Sequence, residues 1–191
     1  MARGRRRRTW LVAIPLMLLP VSCGTPASDA SPVPAIVSPP VTSTVHPVPA
    51  GQLRITGAVR RPGVLTAQQL AGMTSQTVSV SYRTERGDER HTAVGVPLSA
   101  LVDQAGMVLA QGREHDELSI GIVVIGLDGY RALISYGEMS PAFGNRGVLL
   151  ATSEDGKPLA RPRLVVPGDL RGGRYVRDVV ELHVVHTTPT W

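Results

Sequence analysis

Residues 162–177 read Pro-Arg-Leu-Val-Val-Pro-Gly-Asp-Leu-Arg-Gly-Gly-Arg-Tyr-Val-Arg, and they combine a strand with an unusual loop. The β-branched run that ends at Val166 predicts a strand that leads into the loop. The glycines at 168, 172 and 173 predict a loop whose backbone can approach a ligand closely. We therefore take this stretch as the starting point for both the fold and the candidate site.

Guanidinium groups accumulate in the same stretch, and they come from four residues: Arg163, Arg171, Arg174 and Arg177. Guanidinium groups bind phosphates and carboxylates through forked hydrogen bonds, and exposed glycine amides add further donors. The sequence therefore predicts a site for a small anionic ligand. The alternative is a surface hairpin whose arginines pair with Asp169 and Asp178.

Strands are predicted on both sides of this stretch because apolar and β-branched residues recur in short runs between turn residues. The predicted strands are residues 53–59, 77–82, 120–125, 130–135, 148–152, 163–166 and 179–185. Asp128-Gly129 and Asp155-Gly156 are typical hairpin turns. The charged residues 85–90 are interpreted as a solvated connection.

Two short helices interrupt the strands. Thr66 and Gln69 match a capping box, so a helix is expected to start there and to end near Gly72. Pro97 suits a first helical position, and the apolar spacing after it predicts a helix that stops at Gly106. Strands therefore dominate, and the predicted class is α+β with a mixed, largely antiparallel sheet.

The net charge of +5 comes from the start of the chain. Five arginines precede position 9, which leaves 15 basic residues against the 15 acidic ones beyond it. Without net positive charge, and with 4% aromatic residues to stack on bases, the folded part is not expected to bind nucleic acid.

Residues 1–22 have a basic start, an apolar run from Trp10 to Leu19 and a small-residue exit, which predicts a signal peptide. Cys23 follows directly and resembles the lipidated cysteine of bacterial lipoproteins, although Pro20 departs from that pattern. A lipid on Cys23 would anchor the chain at the outer face of the bacterial cell membrane. The alternative is ordinary secretion with a free thiol, and Arg7-Arg8 leaves a twin-arginine export route open.

A proline-rich tether is predicted for residues 23–50, because this segment has only one charged residue and cannot bury a core. His46 within it is expected to be solvated. Residues 51–191 are then a single domain of ordinary size.

Self-contained catalytic motifs are absent from the sequence, including the P-loop, the GxSxG elbow and HExxH. His183 and His186 would lie on opposite faces of the last predicted strand, which disfavours a shared metal site. Glu114, Asp116 and Glu117 lack calcium-loop spacing and are expected to form a solvated loop. No metal site is predicted from these residues.

Seven short motifs follow one another along residues 51–191. They are Ile55-Thr-Gly57-Ala-Val59, Gly95-Val-Pro-Leu98, Leu127-Asp-Gly-Tyr130, Leu149-Leu-Ala151, Asp155-Gly156-Lys-Pro-Leu159, Pro162-Arg-Leu-Val-Val-Pro-Gly168 and Tyr175-Val-Arg-Asp-Val-Val-Glu-Leu-His-Val184. In this order they resemble a compact form of the molybdopterin-binding domain of the sulfite-oxidase family. The resemblance implies an α+β fold with mixed sheets.

The same resemblance implies a molybdopterin cofactor, whose anionic groups would be contacted by Arg163, Arg171, Arg174 and Arg177. It also implies a cysteine thiolate that binds molybdenum, upstream of Gly95, where this sequence has none. Ser79 and Ser81 are the nearest replacements, and an alcohol is a harder and much less acidic ligand than a thiol. Usual oxo-transfer chemistry is therefore not expected.

The sequence favours a cell-envelope lipoprotein whose domain serves as a ligand-binding or accessory module. Two alternatives stay open. One is an active molybdopterin-dependent oxidoreductase, in which a serine or solvent completes the metal sphere. The other is a surface scaffold that docks a protein partner.

Overall fold

The computed structural model describes residues 48–187. These residues form nine strands: β1 (Gln52–Gly57), β2 (Gly63–Thr66), β3 (Gln76–Thr84), β4 (Gly87–Pro97), β5 (Ile120–Gly126), β6 (Arg131–Ser135), β7 (Leu149–Glu154), β8 (Lys157–Val165) and β9 (Val179–His186). Three short α-helices accompany them: α1 (Ala67–Ala71), α2 (Leu98–Ala105) and α3 (Tyr136–Met139). Single 3-10 turns lie at Asp116–Ser119 and Gly172–Arg174.

The strands form two sheets. In the five-stranded sheet the order is β2-β1-β9-β5-β6, and only β1 and β9 are parallel. In the four-stranded sheet the order is β3-β4-β7-β8, and every pair is antiparallel. The predicted α+β class with mixed, largely antiparallel sheets is therefore confirmed.

One hydrophobic core joins both sheets and the helices. Leu53 and Leu182 enter it from the five-stranded sheet and Leu150 from the four-stranded sheet, and all three side chains are fully buried. Helix α2 adds Leu98 and Leu101, which fall on its buried face because of the helical spacing. The core fixes the positions from which the loops extend.

Both predicted helices begin and end close to where the sequence signals them. Thr66 and Gln69 form the complete capping box of α1, and Gly72 ends that helix. Helix α2 follows Pro97 directly and stops at Gly106, whose positive φ of 73° suits glycine. The capping residues and the terminal glycines act within a few residues of the chain, and the helix ends agree with them.

One prediction needs correction, and three elements were not predicted. The charged residues 85–90 are not one connection, because only Glu85 and Arg86 form the turn, and β4, which no predicted strand covers, already begins at Gly87. The sequence pattern missed β2, which is four residues long and mostly exposed, and so lacks a hydrophobic alternation. It also missed α3, which is too short to show a helical period.

The predicted signal peptide 1–22, the lipidated Cys23 and His46 lie outside the described residues. The end of the predicted tether does fall within them: Val48 is buried, and the Pro49 carbonyl accepts hydrogen bonds from the Gln52 amide and the Arg161 side chain. Within residues 48–187, no helix has the length and apolarity needed to cross a bilayer.

Candidate functional site

The glycine-rich loop after β8 is tied to three other elements. The Arg83 amide of β3 donates a hydrogen bond of 2.9 Å to the Leu170 carbonyl. The Tyr130 hydroxyl donates one of 2.6 Å to the Gly173 carbonyl. Arg174 reaches Glu138 in α3. The loop is therefore held in one place, and its arginines have defined neighbours.

A cleft of about 370 Å³ opens between this loop and the β3–β4 hairpin. The Tyr82 and Tyr175 rings form part of its wall, with their centroids 4.2 Å apart. Gly172 packs so closely on the Tyr82 ring that a Cβ atom there would lie 3.0 Å from it, whereas Gly173 faces open space. The other lining residues are Arg83, Thr84, Glu85, Glu89, Arg163, Arg171 and Arg177.

Arg163 lies in the wall of the cleft and is already paired. Its Nη1 donates hydrogen bonds of 2.8 Å to both carboxylate oxygens of Glu154, and its Nη2 donates one of 2.9 Å to the Tyr82 hydroxyl. Only 12% of its side chain is exposed. The Tyr175 ring centroid is 5.7 Å from its guanidinium carbon. Arg163 therefore contributes charge and rigidity to the wall.

Arg174 is placed beside the cleft, not in its lining. Its Nε and Nη2 bind the two carboxylate oxygens of Asp169 at 2.9 and 2.5 Å, and its Nη1 binds Glu138 at 2.9 Å. The hydrogen bonds to Asp169 raise the pKa of this guanidinium, so it stays charged. Its role in the structure is to hold the loop against α3.

Arg171 and Arg177 differ from the other two arginines. Both are exposed, and both line the cleft. Among residues 48–187, neither has a hydrogen-bond or ion-pair partner. Of the four predicted arginines, the structure thus brings Arg163, Arg171 and Arg177 to one cleft and leaves two of them available to a ligand.

The electrostatic balance of the cleft is positive. Four arginines line it against two glutamates. Glu89 is engaged by hydrogen bonds with Thr84 and His91, which lower its pKa and keep it ionised. Arg83 pairs with the exposed Asp88 at 3.0 Å. An anionic ligand would therefore meet free guanidinium groups at Arg171 and Arg177.

Tyr175 anchors the back of the cleft. Its hydroxyl donates a hydrogen bond of 2.9 Å to the Val166 carbonyl, and its side chain is buried. Burial, strengthened by the charge of Asp169, raises its pKa to about 12. The phenol is therefore neutral and acts as a fixed apolar wall at ordinary pH.

Ser79 and Ser81 are both exposed on β3, on the opposite side of the strand from the buried Val80 and Tyr82. Neither serine lines the arginine cleft, although Ser81 lies in a shallow neighbouring hollow with Leu170 and Arg171. The only cysteine of the chain, Cys23, lies outside the described residues. The cleft as described therefore has no thiol beside it.

The predicted solvated loop at Glu114, Asp116 and Glu117 is corrected for its middle residue. The Asp116 side chain is only 2% exposed, lies 2.9 Å from Nε2 of His186, and accepts a hydrogen bond from the Ala110 amide. His183 instead contacts the Thr56 hydroxyl at 2.9 Å. Asp116 therefore links its loop to β9 and is not a surface residue.

One group of candidate metal-binding residues was not identified from the sequence. His91, Glu154 and Asp155 place a nitrogen and two carboxylate oxygens within 4.8 Å of one another. A hydrogen bond with Asp155 raises the pKa of His91. No spacing could have revealed the group, because it joins two hairpins, and His91 and Asp155 are 64 residues apart in the chain.

Comparison with known proteins supports the fold. No protein-family model matches the chain. A search of curated proteins also finds no match. Among solved structures, the chain is similar to the sulfane dehydrogenase SoxCD from Paracoccus pantotrophus, with a TM-score of 0.58 and 22% sequence identity. The match covers 71% of this chain and 38% of that one, so the matched region spans well under half the length of that structure.

Proposed function

We propose that this chain is a cell-envelope lipoprotein whose domain binds a small anionic ligand in the arginine cleft. The observation that carries the proposal is that Arg171 and Arg177, whose guanidinium groups have no partner within residues 48–187, line one cleft beside the open backbone of Gly173. Guanidinium groups without an internal partner bind phosphate, sulfate or carboxylate groups through charge-assisted hydrogen bonds. Arg83, Arg163 and Glu89 of the wall are already engaged by other described side chains.

Ligand binding is favoured over oxo-transfer because the described residues do not supply the ligand that the family resemblance requires. Residues 48–187 contain no cysteine, and Ser79 lies outside the cleft lining. Ser81 is exposed in the adjacent hollow, and its hydroxyl would offer a hard, weakly acidic oxygen. These residues fit an anion, such as the phosphate of a pterin cofactor, better than they fit a thiolate-bound metal.

The fold is compatible with this proposal. The structural similarity to SoxCD, at 22% sequence identity, supports the fold of a sulfite-oxidase-type domain. Proteins that share one fold can have different functions. Molybdopterin, whose phosphate is anionic, is therefore one chemical candidate for the ligand. The residues that line the cleft indicate only that the ligand is an anion.

The binding test is calorimetry of the purified mature protein with inorganic phosphate and with glycerol phosphate. Arg171→Gln and Arg177→Gln should each weaken binding at least tenfold, because each removes a charged hydrogen-bond donor. Arg113→Gln is the matched control, since Arg113 is exposed and lies outside the cleft. Equal affinities in all four proteins would refute the cleft as the site.

The enzyme alternative is tested separately by elemental analysis of protein from a molybdenum-replete host. We expect no stoichiometric molybdenum. Stoichiometric metal together with turnover of a sulfur- or nitrogen-oxide substrate would replace the binding module with an oxidoreductase.

The lipid anchor is tested on the membrane fraction of the native host. Mass spectrometry of the mature protein should show a diacylglycerol-modified Cys23 at its N-terminus, and Cys23→Ala should release the chain from the membrane. An unmodified Cys23, or membrane attachment that survives its replacement, would exclude lipidation.

A protein partner is a second candidate, favoured by Leu170, whose 86% exposed side chain lies next to Arg171. A photo-crosslinking residue at position 170 should then trap one defined envelope protein in cells. The same probe at the exposed position Val108 is the control. Equal labelling from both positions would indicate random encounters.

A further inference from the structure

We propose that His91, Glu154 and Asp155 form a binding site for a divalent transition-metal ion. The site lies next to the arginine cleft but uses other residues. It does not depend on the proposed anion binding, because none of its three ligands lines that cleft.

Two of the three donor separations match those around a metal ion, and the third is within 4.8 Å. Nδ1 of His91 lies 2.8 Å from Oδ2 of Asp155 and 3.4 Å from Oε1 of Glu154. Around an ion with bonds of about 2.1 Å, adjacent donors lie about 3.0 Å apart in an octahedron and about 3.4 Å apart in a tetrahedron. Small side-chain adjustments would therefore bring all three donors onto one ion.

The backbone brings these residues together without loop rearrangement. Strands β4 and β7 are antiparallel neighbours, with Ala93 opposite Glu154. His91 lies two residues before Ala93 on β4, and Asp155 begins the turn between β7 and β8 with a positive φ of 52°. Ligands on paired strands are held more precisely than ligands on a long loop.

Outer hydrogen bonds orient each ligand. The Thr92 amide donates to Oδ1 of Asp155 at 2.8 Å, which leaves Oδ2 directed at His91. Arg163 fixes the Glu154 carboxylate differently, because its Nη1 binds both oxygens, and Oε1 would bind the ion through its second lone pair. Metal sites commonly have such a second layer of hydrogen bonds, which fixes the direction of the donor atoms.

The imidazole itself has the arrangement of a metal-binding histidine. Its Nε2 lies 3.4 Å from Oε2 of Glu89, and the other Glu89 oxygen accepts a hydrogen bond of 3.0 Å from Thr84. A histidine that donates one ring N–H to a carboxylate presents its other nitrogen to a metal. Here that nitrogen is Nδ1, which is the atom nearest both Glu154 and Asp155.

The charge balance also favours a cation. Three carboxylates surround the imidazole, those of Glu89, Glu154 and Asp155. Arg163 offsets one of them, and even a protonated His91 would leave one negative charge in excess. Two further cations lie nearby: Lys157 acts on Asp155 from the turn, and Arg90 lines the same pocket as His91. Both are exposed, so solvent screens their charges. A divalent ion would replace the Nδ1 proton and supply the missing charge.

An ion has a route to the site from solvent. The Asp155 side chain is 51% exposed and that of His91 is 22% exposed. A shallow pocket reaches His91 and Asp155, and Ser79 and Ser81 are among its other lining residues. Water could complete the coordination sphere from this side. One imidazole with two carboxylates is a donor set for Zn²⁺ or Co²⁺ and not for a soft ion such as Cu⁺.

The experiment uses the purified full-length mature chain after chelator treatment. Calorimetry with Zn²⁺ should show one ion per chain, and Co²⁺ should produce a visible absorption band. His91→Gln should weaken Zn²⁺ binding at least tenfold and abolish the Co²⁺ band. Asp155→Asn, on the exposed turn, should weaken binding without unfolding the chain, as circular dichroism would verify.

Matched variants separate this site from other metal binders. His183→Gln, His186→Gln and Cys23→Ala should bind Zn²⁺ like the unmodified chain. Arg171→Gln should also retain the ion, so failure of the anion proposal would not affect this result. No Zn²⁺ binding, or binding that His91→Gln and Asp155→Asn leave unchanged, would overturn the proposal.

Discussion

Nη1 of Arg163 donates hydrogen bonds of 2.8 Å to both carboxylate oxygens of Glu154. The two side chains are 12% and 14% exposed, so the pair is largely withdrawn from water. Arg163 lines the anion cleft, whereas Glu154 belongs to the proposed metal site. The pair therefore separates the two proposed sites, one for an anion and one for a cation.

This pair predicts a non-additive effect on stability. Removing one partner strands the other charge in a poorly solvated position, so Arg163→Met and Glu154→Gln should each lower the free energy of unfolding by about 3 kcal/mol. The double variant should lose clearly less than the sum, because neither charge is then left alone. Urea denaturation of the four proteins measures the coupling, and additive losses would contradict it.

Arg174 should stabilise the glycine-rich loop and not bind the ligand. Arg174→Gln removes charged hydrogen bonds to Asp169 and Glu138 and should cost about 2 kcal/mol. Amide hydrogen exchange over residues 169–176 should become faster. Arg174→Lys should recover only part of the loss, because an ammonium cannot reproduce the fork.

The same substitution at Arg177 should have a smaller effect on the free energy of unfolding. Arg177→Gln should leave the unfolding free energy within about 0.5 kcal/mol, because Arg177 is exposed and makes no ion pair within residues 48–187. Equal destabilisation by Arg174→Gln and Arg177→Gln would show that both arginines are structural.

Two glycines should be irreplaceable because other backbone segments approach them. A Cβ atom at Gly57 would lie 2.0 Å from the Val184 carbonyl oxygen, and one at Gly95 would lie 2.2 Å from that of Leu150. Gly57→Ala and Gly95→Ala should therefore displace β9 and β7, at a cost above about 3 kcal/mol. Gly63→Ala is the control, since nothing lies within 4 Å and its φ is not positive. Thermal denaturation should rank the three variants in this way.

Alkaline pH should weaken the fold through Tyr175. Burial raises its pKa from an ordinary 10.0 to about 12, so the unfolded chain loses this proton first. The stability that Tyr175 contributes is complete below pH 10 and should be lost as pH rises towards 12. Urea denaturation between pH 9 and 11 should show the decline.

Tyr175→Phe should make that decline shallower, because the variant has no phenol to ionise at this position. A pH dependence that Tyr175→Phe does not alter would assign the effect to other groups, such as Tyr82.

The hairpins and helix ends could be predicted because their determinants are close in sequence. The capping box at Thr66 and Gln69 and the turn at Asp155-Gly156 each act within a few residues. Strand β2 could not be predicted, because it forms only by pairing with β1 and has no buried alternation of its own. The order of strands in each sheet could not be predicted either, because it joins strands that are far apart in the sequence.

Some features of the candidate site could also be predicted from the sequence, and others could not. Residue type and spacing alone indicated that arginines and glycines meet in the stretch 162–177 and that no cysteine is available to the domain. Only the tertiary structure decided that Arg174 binds Asp169 while Arg171 and Arg177 have no side-chain partner among the described residues. Pairing between side chains depends on distances of a few ångströms across separate strands, and no local pattern encodes those distances. For the same reason, His91 and Asp155 became a candidate metal site only when two hairpins lay side by side.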